Sequence, residues 1–113
     1  MLARLRIPSG WDVEYNALFE PLDGSDLPHL GNLTEDILQF VNRRRRVIVD
    51  LGWYPECDPT GLFRLQAVAS EFVDNCWSGN WDSPLRDLMS TSYSEIVAAL
   101  EAWLEDESLT LTK

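Results

Sequence analysis

The chain has 113 residues, of which 45% are hydrophobic and 25% are charged, a composition typical of one globular domain and not of a disordered chain. Nine basic residues face nineteen acidic ones, so the formal net charge is −10, and such a field repels nucleic acid and anionic lipid while it attracts basic partners. No apolar run approaches the roughly 18 residues that a membrane-spanning helix needs, so we expect no membrane span.

The N-terminal segment and the cysteines indicate a compartment. Residues 1–8 lack the long apolar stretch and the small-residue cleavage site of a secretory signal peptide. We therefore expect a cytoplasmic protein. Cys57 and Cys76 fit no zinc, haem or redox spacing, and in the cytoplasm both are expected to be reduced thiols.

The first predicted element is a strand over residues 11–19. Apolar and polar residues alternate there, and a period of two is typical of a half-buried strand. The side chains expected on its buried face are Trp11, Val13, Tyr15, Ala17 and Phe19. Residues 21–28 follow as a loop dense in turn formers.

The second predicted element is a helix that begins near Leu33. Asn32 and Glu35 resemble a capping box, and Thr34 is an alternative N-cap. Apolar residues then follow at helical spacing, namely Ile37, Leu38, Phe40 and Val41. Arginines 43–46 come after the last turn, where positive charge suits the helix macrodipole. A phosphate contact is the alternative, but no aromatic residues are interleaved with these arginines.

The centre of the chain is predicted to be a hairpin. Residues 47–54 are rich in β-branched and aromatic side chains, and Pro55 ends this strand because it has no N–H for the ladder. Residues 58–61, Asp-Pro-Thr-Gly, have the composition of a type I turn. In the returning strand, one face is expected to carry Phe63, Leu65 and Ala67, and the other Arg64, Gln66 and Val68.

The C-terminal part is predicted to hold a connection, a short strand and a helix. Residues 70–84 form the connection, with the preceding strand continuing to Val73 as an alternative, and residues 84–90 form the strand. Ser92 and Glu95 form a capping box for the helix. Its apolar stripe is Ile96, Val97, Leu100, Trp103 and Leu104. The tail, residues 109–113, is expected to fray.

These elements predict a single α+β domain over residues 1–113. The order is β-α-β-β-β-α, which gives a largely antiparallel sheet with two main helices packed on it.

Few residues point to catalysis. His29 lies in a loop, where a surface or turn role is the simpler interpretation. Glu56 and Asp58, with Asp50 or Asp82, offer carboxylates for acid–base work or a divalent ion, but a calcium-loop spacing is absent. We therefore expect no enzyme activity, no metal and no cofactor.

Five tryptophans are many for this length. Trp11, Trp53 and Trp103 lie on predicted apolar faces, where core packing explains them. Trp77 and Trp81 lie in a polar, acidic loop. They are either anchors of a protein interface, where tryptophan is enriched, or lids that fold back over the sheet.

Several stretches resemble CdiI-type immunity proteins of contact-dependent growth inhibition systems. The central one is Asp-Leu-Gly-Trp-Tyr-Pro-Glu at 50–56, followed by Asp58-Pro59, Gly61 and Phe-Arg-Leu at 63–65. The others are Trp-Asp-Val-Glu-Tyr-Asn at 11–16 with Phe19, Trp-Asp-Ser-Pro-Leu at 81–85, and the helix from Ser92 to Trp103. Together these stretches are spread over most of the chain, from residue 11 to residue 103.

The resemblance implies a non-catalytic function. Such a protein binds the toxin domain at the C-terminus of a cognate CdiA protein in the cytoplasm, and many of these toxins are nucleases that act on tRNA. A one-to-one complex is expected, without direct contact to nucleic acid or membrane. Composition and loop placement, not the resemblance, suggest the contact residues Glu56, Asp58, Glu71, Asp74, Trp77, Trp81 and Asp82. The alternative is a protein- or ligand-binding module unrelated to immunity.

Overall fold

The structure, a computed structural model, describes residues 1–73 and 76–111, without the side chains of residues 72–77. Its strands form one six-stranded antiparallel sheet. The elements are β1 (Trp11–Asn16), a 3-10 turn (Leu30–Asn32), β2 (Leu38–Asn42), β3 (Val47–Tyr54), β4 (Leu62–Val73), β5 (Cys76–Gly79), β6 (Arg86–Ser90) and α1 (Tyr93–Glu105).

The predicted β-α-β-β-β-α order with two main helices is wrong, because the described residues contain six strands followed by one α-helix. The segment predicted as the first helix instead forms β2, between β1 and β3. Leu38 pairs with Leu51, and Phe40 pairs with Val49. Just before β2, Ile37 N–H donates to the Leu51 carbonyl at 3.0 Å. Strand pairing on both edges outweighs an apolar stripe that fits a helix equally well.

Residues 43–46 form the turn between β2 and β3, with Arg46 in the left-handed region at φ 60°. The predicted role of these arginines at the end of the first helix is therefore wrong. Arg45 is buried and its Nη1 donates to the carbonyls of Leu104 at 3.3 Å and Asp106 at 3.0 Å. A guanidinium does stabilise a helix C-terminus here, but the helix is α1.

The predicted hairpin is confirmed. β3 ends at Tyr54, and Gly61 N–H donates to the Asp58 carbonyl at 2.9 Å, which closes the turn. Gly52 is required in β3 because a Cβ there would clash with the carbonyl oxygen of Glu35. The chain before β2 therefore approaches β3 more closely than any side chain at position 52 permits.

β4 continues to Val73, which is the alternative that the sequence left open, and β5 pairs with its far end. β5 was not predicted. Asn80 N–H donates to the Ala69 carbonyl at 2.9 Å, and Leu85 N–H donates to the Ala67 carbonyl at 2.7 Å. Carbonyls two residues apart point to the same edge of a strand, so β5 and β6 share one edge of β4. Residues 80–85, the edge loop, leave the sheet between them.

One face of the sheet, the covered face, packs against α1 and holds the main core. Its largest buried side chains include Phe40, Leu51, Trp53, Phe63 and Leu65, with Ile96, Leu100 and Leu104 from the helix. The predicted α1 is confirmed, and Ser92 Oγ accepts from Glu95 N–H at 3.2 Å. The segment expected to fray is packed as far as residue 111, since Leu109 is buried and Leu111 N–H donates to the Arg45 carbonyl at 2.8 Å. Residues 112 and 113 lie outside the description.

The opposite face, the open face, carries Gln39, Asp50 and Gln66 and, beside them, a small buried apolar cluster of Val41, Ile48 and Val68. The register of β1 against β2 shifts between Val13 and Tyr15. This bulge turns Tyr15 from the predicted buried face to the open face, beside Gln39. Within the described part of the chain, no helix has the length and hydropathy needed to cross a bilayer.

Candidate functional site

Five polar side chains lie side by side across the open face. Tyr15 pairs with Gln39, Gln39 with Asp50, Asp50 with Gln66, and Gln66 with Asp87. Directly paired residues of neighbouring strands point to the same face with their Cβ atoms about 5 Å apart. We call these five residues the polar row. It crosses β1, β2, β3, β4 and β6.

Asp50 lies at the centre of the polar row and is the most buried carboxylate in it. The residue is 9% exposed. Gln39 Nε2 donates to its Oδ2 at 3.2 Å, and the Tyr15 hydroxyl lies 3.5 Å from the same oxygen. Among hydrogen bonds between described residues, none reaches Oδ1. Burial raises the pKa of the Asp50 carboxyl, and the charge of Asp36 adds to this, while the Gln39 and Tyr15 bonds partly oppose it.

Burial and the negative charge of Asp50 raise the pKa of two neighbouring tyrosines, Tyr15 and Tyr54. In both cases burial is the larger cause and the charge of Asp50 is the next. The charge of Asp36 raises both values further. The two hydroxyls therefore remain protonated at neutral pH and are hydrogen-bond donors.

A small pocket of about 230 Å³ opens above the polar row. Trp81, from the edge loop, forms one of its walls and is 44% exposed. A Cβ at Gly79 would lie 2.7 Å from Val68 Cγ2 and 3.1 Å from the Trp81 ring, so glycine allows the indole to lie against the sheet. The lining residues are Asp36, Gln39, Asp50, Tyr54, Gln66 and Trp81.

The nearest arginine on this face is already paired. Arg64 Nε lies 3.1 Å from Asp87 Oδ1, and its Nη2 lies 2.9 Å from Asp87 Oδ2. This two-point pair holds the guanidinium toward β6. The carboxylate of Asp50 consequently has no cationic partner among the described residues that line the pocket.

The sequence-predicted contact residues do not form one patch. Glu56 and Asp58 lie in the β3–β4 turn, whereas Glu71 lies near the other end of β4, about 30 Å further along the strand. Trp81 and Asp82 lie in the edge loop between these ends, and both are exposed. Asp74 and the side chain of Trp77 lie outside the described residues.

Two of these carboxylates have structural roles. Glu56 Oε1 accepts from Glu35 N–H at 3.2 Å. Asp58 Oδ1 accepts from the amide and the hydroxyl of Thr60 at 2.8 and 2.7 Å. These two bonds, the hydroxyl bond most strongly, lower the pKa of the Asp58 carboxyl. They stabilise the turn and are separated from Asp50, which faces the pocket.

The described residues hold no group of three or more histidine, cysteine or acidic side chains spaced to bind a metal ion. His29 Nδ1 accepts from Gly31 N–H at 3.0 Å and thereby caps the short 3-10 turn. Cys57 is exposed. The chemistry that the pocket supports best is the binding of a positively charged group.

Sequence reasoning missed most of this site. It named Asp50 and Trp81 but not Tyr15, Gln39 or Gln66. One signal was present, since Asp50 is the only charged residue in the otherwise apolar run from 47 to 53. A carboxylate within a buried strand is costly unless something compensates its charge.

Comparison with protein-family models, with curated proteins and with solved structures finds no match to this chain. Function is therefore inferred from the residues and the geometry of the site.

Proposed function

We propose that the chain is a CdiI-type immunity protein, a non-catalytic inhibitor that binds the C-terminal toxin domain of a cognate CdiA protein in the cytoplasm. The complex is one-to-one and covers the active-site region of the toxin. The toxin is a nuclease acting on RNA, whose active site is basic because it must hold phosphate. The observation that carries the proposal is the open face, where two carboxylates, Asp36 and Asp50, have no ion-pair partner among the described residues and lie beside exposed aromatic side chains.

Charge supports a basic partner. The net charge of −10 accelerates the encounter with a positively charged surface and opposes direct binding to RNA. In the described part of the chain, three arginines pair with carboxylates, namely Arg43 with Asp12, Arg64 with Asp87 and Arg86 with Asp106. Nineteen acids against nine basic residues leave most carboxylates available to a partner.

The apolar side chains around the polar row support a protein partner. Tyr54 is 37% exposed, Trp81 is 44% exposed and Met89 is 59% exposed. Met89 pairs with Arg64 on the open face, one pair removed from the polar row. Aromatic residues and methionine are enriched in protein interfaces, where they supply contact area around a few polar anchors.

The motif that resembles immunity proteins contains one residue that the fold does not explain. Trp53, Phe63 and Leu65 fill the core, and Gly52 admits the Glu35 carbonyl. Asp50 instead places a buried carboxylate on the open face at a cost in stability. A contribution to partner binding accounts for this cost.

The test uses the C-terminal domain of the large exported protein expected in the reading frame immediately upstream. We expect isothermal titration calorimetry to give tight binding at a ratio of one to one. The purified domain should cleave tRNA alone and fail to cleave it when this chain is present. Because the encounter is electrostatic, the association rate should fall as salt rises from low to physiological ionic strength.

Three outcomes are informative. Binding with loss of tRNA cleavage supports the proposal in full. Binding to a toxin that lacks nuclease activity retains immunity and refutes the nuclease assignment. A folded toxin domain that does not bind refutes the immunity function and favours a different binding module. The pocket above the polar row, about 230 Å³, lies below the roughly 300–1,000 Å³ of typical small-molecule sites, so it does not favour a small-ligand module.

A further inference from the structure

We propose that the pocket above the polar row binds one arginine side chain of the toxin partner, whose guanidinium lies between the carboxylates of Asp50 and Asp36 and the ring of Trp81. The inference rests on the proposed function and adds the chemistry of its central contact. It assigns Asp36, Asp50 and Trp81 as the main binding residues, and Gln39 and Tyr15 as the residues that hold Asp50 in place.

The pocket requires a cation. Asp36 and Asp50 contribute two carboxylates, and the described residues that line the pocket include no lysine or arginine. The one arginine nearby, Arg64, is held by two hydrogen bonds to Asp87. The two bonds to Asp50 reach Oδ2, which leaves Oδ1 without a donor among the described residues. A charged donor from a partner can therefore bond to that oxygen without displacing an existing contact, and its charge would offset the burial of the carboxylate.

The other lining groups favour arginine over lysine and over a metal ion. The indole of Trp81 offers an exposed flat surface on which a planar guanidinium can stack. The amide oxygens of Gln39 and Gln66 add acceptors for a group with five N–H donors. Lysine has three donors and no planar surface, and the described lining residues offer a metal ion only two carboxylates.

The size of the site favours a side chain presented by a protein. A volume of about 230 Å³ suits one long side chain better than a free ligand of typical size. Exposed Tyr54, Trp81 and Met89 surround the site and can contact the partner surface that carries the arginine. An arginine in a desolvated pocket at the centre of an interface is a common binding hot spot.

The first experiment tests the pocket alone. Nα-acetyl-arginine amide is titrated into the protein, and NMR follows the indole N–H of Trp81 and the side-chain amides of Gln39 and Gln66. We expect these signals to shift and saturate. The probe of the same shape without charge, Nα-acetyl-citrulline amide, should shift none of them. Absence of shifts with the arginine probe overturns the inference, and equal binding of Nα-acetyl-lysine amide overturns the choice of arginine.

The second experiment tests the pocket in the complex with the toxin domain. Asp50→Asn keeps the shape of the side chain and removes its charge, and we expect toxin binding to weaken about 30-fold or more. Trp81→Ala removes the stacking surface in an exposed loop and should weaken binding about tenfold. Asp23→Asn is the matched control, because it makes the same charge change at an exposed loop residue and should change binding less than about twofold.

The outcomes separate the two proposals. If the toxin domain binds the unmodified chain, and both pocket variants bind it as tightly as the Asp23→Asn control, the arginine pocket is refuted and immunity stands. If the toxin domain does not bind the unmodified chain, the proposed function is refuted, and the pocket no longer has the partner assigned to it. Near-UV circular dichroism of each variant checks that the fold is retained.

Discussion

The two faces of the sheet are made by the same strands but differ in how completely their side chains are packed and paired. On the covered face, Trp53 is 0% exposed, packs edge-on against Phe63 with ring centroids 4.9 Å apart, and donates its indole N–H to the Asp58 carbonyl at 2.8 Å. On the open face, Asp50 is nearly as buried but lacks a cationic partner among the described residues. The covered face holds the main core and accounts for most of the stability. The open face adds the smaller buried cluster of Val41, Ile48 and Val68, but it also retains in Asp50 a group that destabilises the free protein. This difference is expected where a surface is shaped for a partner.

The strongest test of the comparison uses neighbouring aromatic residues on opposite faces. Trp53→Ala should lower the free energy of unfolding by about 3–5 kcal/mol, because it removes a large core side chain and leaves a cavity. Tyr54→Ala, at a residue 37% exposed on the open face, should lower it by less than about 1 kcal/mol. Urea denaturation followed by circular dichroism measures both. Equal losses would contradict the assignment of stability to the covered face.

A smaller effect is expected at the glycine that admits the Glu35 carbonyl to β3. Gly52→Ala should lower the free energy of unfolding by about 1–3 kcal/mol, because the new Cβ would meet a backbone oxygen that cannot move alone. Gly31→Ala is the control, since the nearest atom to its Cβ is the side-chain nitrogen of His29 at 3.3 Å. Thermal unfolding of both variants measures the difference. A Gly52→Ala protein as stable as the Gly31→Ala control would refute the close approach of the Glu35 carbonyl to β3.

The helix that protects the covered face depends on its N-cap. Ser92→Ala removes the acceptor for Glu95 N–H and should lower the free energy of unfolding by about 1 kcal/mol. Ser83→Ala, at an exposed position of the edge loop, is the control and should have little effect. Ser92 N–H donates to Ser90 Oγ at 3.0 Å, so the reciprocal half of the predicted capping box is replaced by a different bond. Urea denaturation resolves a change of this size.

The smallest expected effect is a difference in pH dependence between two aspartates. The folded pKa of Asp50 is raised above 3.8, so its stability contribution is lost as pH rises from that value through the folded pKa. Hydrogen bonds from Ser108 and Arg86 lower the pKa of Asp106 to about 2, so its contribution is present above 3.8 and is lost as pH falls toward 2. The free energy of unfolding of Asp50→Asn minus that of the unmodified chain should increase from about pH 3 to pH 7. The same difference for Asp106→Asn should decrease over this range. Urea denaturation at both pH values measures this, and shifts of the same sign would contradict the two environments.

The central hairpin and the last helix could be predicted because each has its own local signal. The type I turn at Asp58 and the capping serine at Ser92 fix the ends of these elements. β2 could not be predicted, because its apolar residues fit a helical and a strand period equally well. The pairing that decides between them involves β3, across a turn of four arginines that carries no typical turn signal, and β1, which lies more than 20 residues earlier in the chain.

The site was less predictable than the fold. A single-residue bulge in β1 changes the face on which Tyr15 lies, and no residue type marks its position. β5 has four residues and shows no recognisable strand signal in the sequence. It runs antiparallel to the end of β4 and thereby places Trp81 against the open face. The polar row depends on the register of four strand pairs, and the sequence specifies each register only through the complete sheet.

The way in which the edge loop is anchored determines which wall of the pocket can change without changing the sheet. Its two ends are fixed by bonds from Asn80 and Leu85 to the Ala69 and Ala67 carbonyls, on one edge of a single strand. Residues between such anchors can be exchanged, lengthened or shortened without altering the pairing of β4, because surface loops tolerate insertions at low thermodynamic cost. The wall of the pocket that contains Trp81 can therefore be exchanged while the pairing of the rest of the sheet stays unchanged.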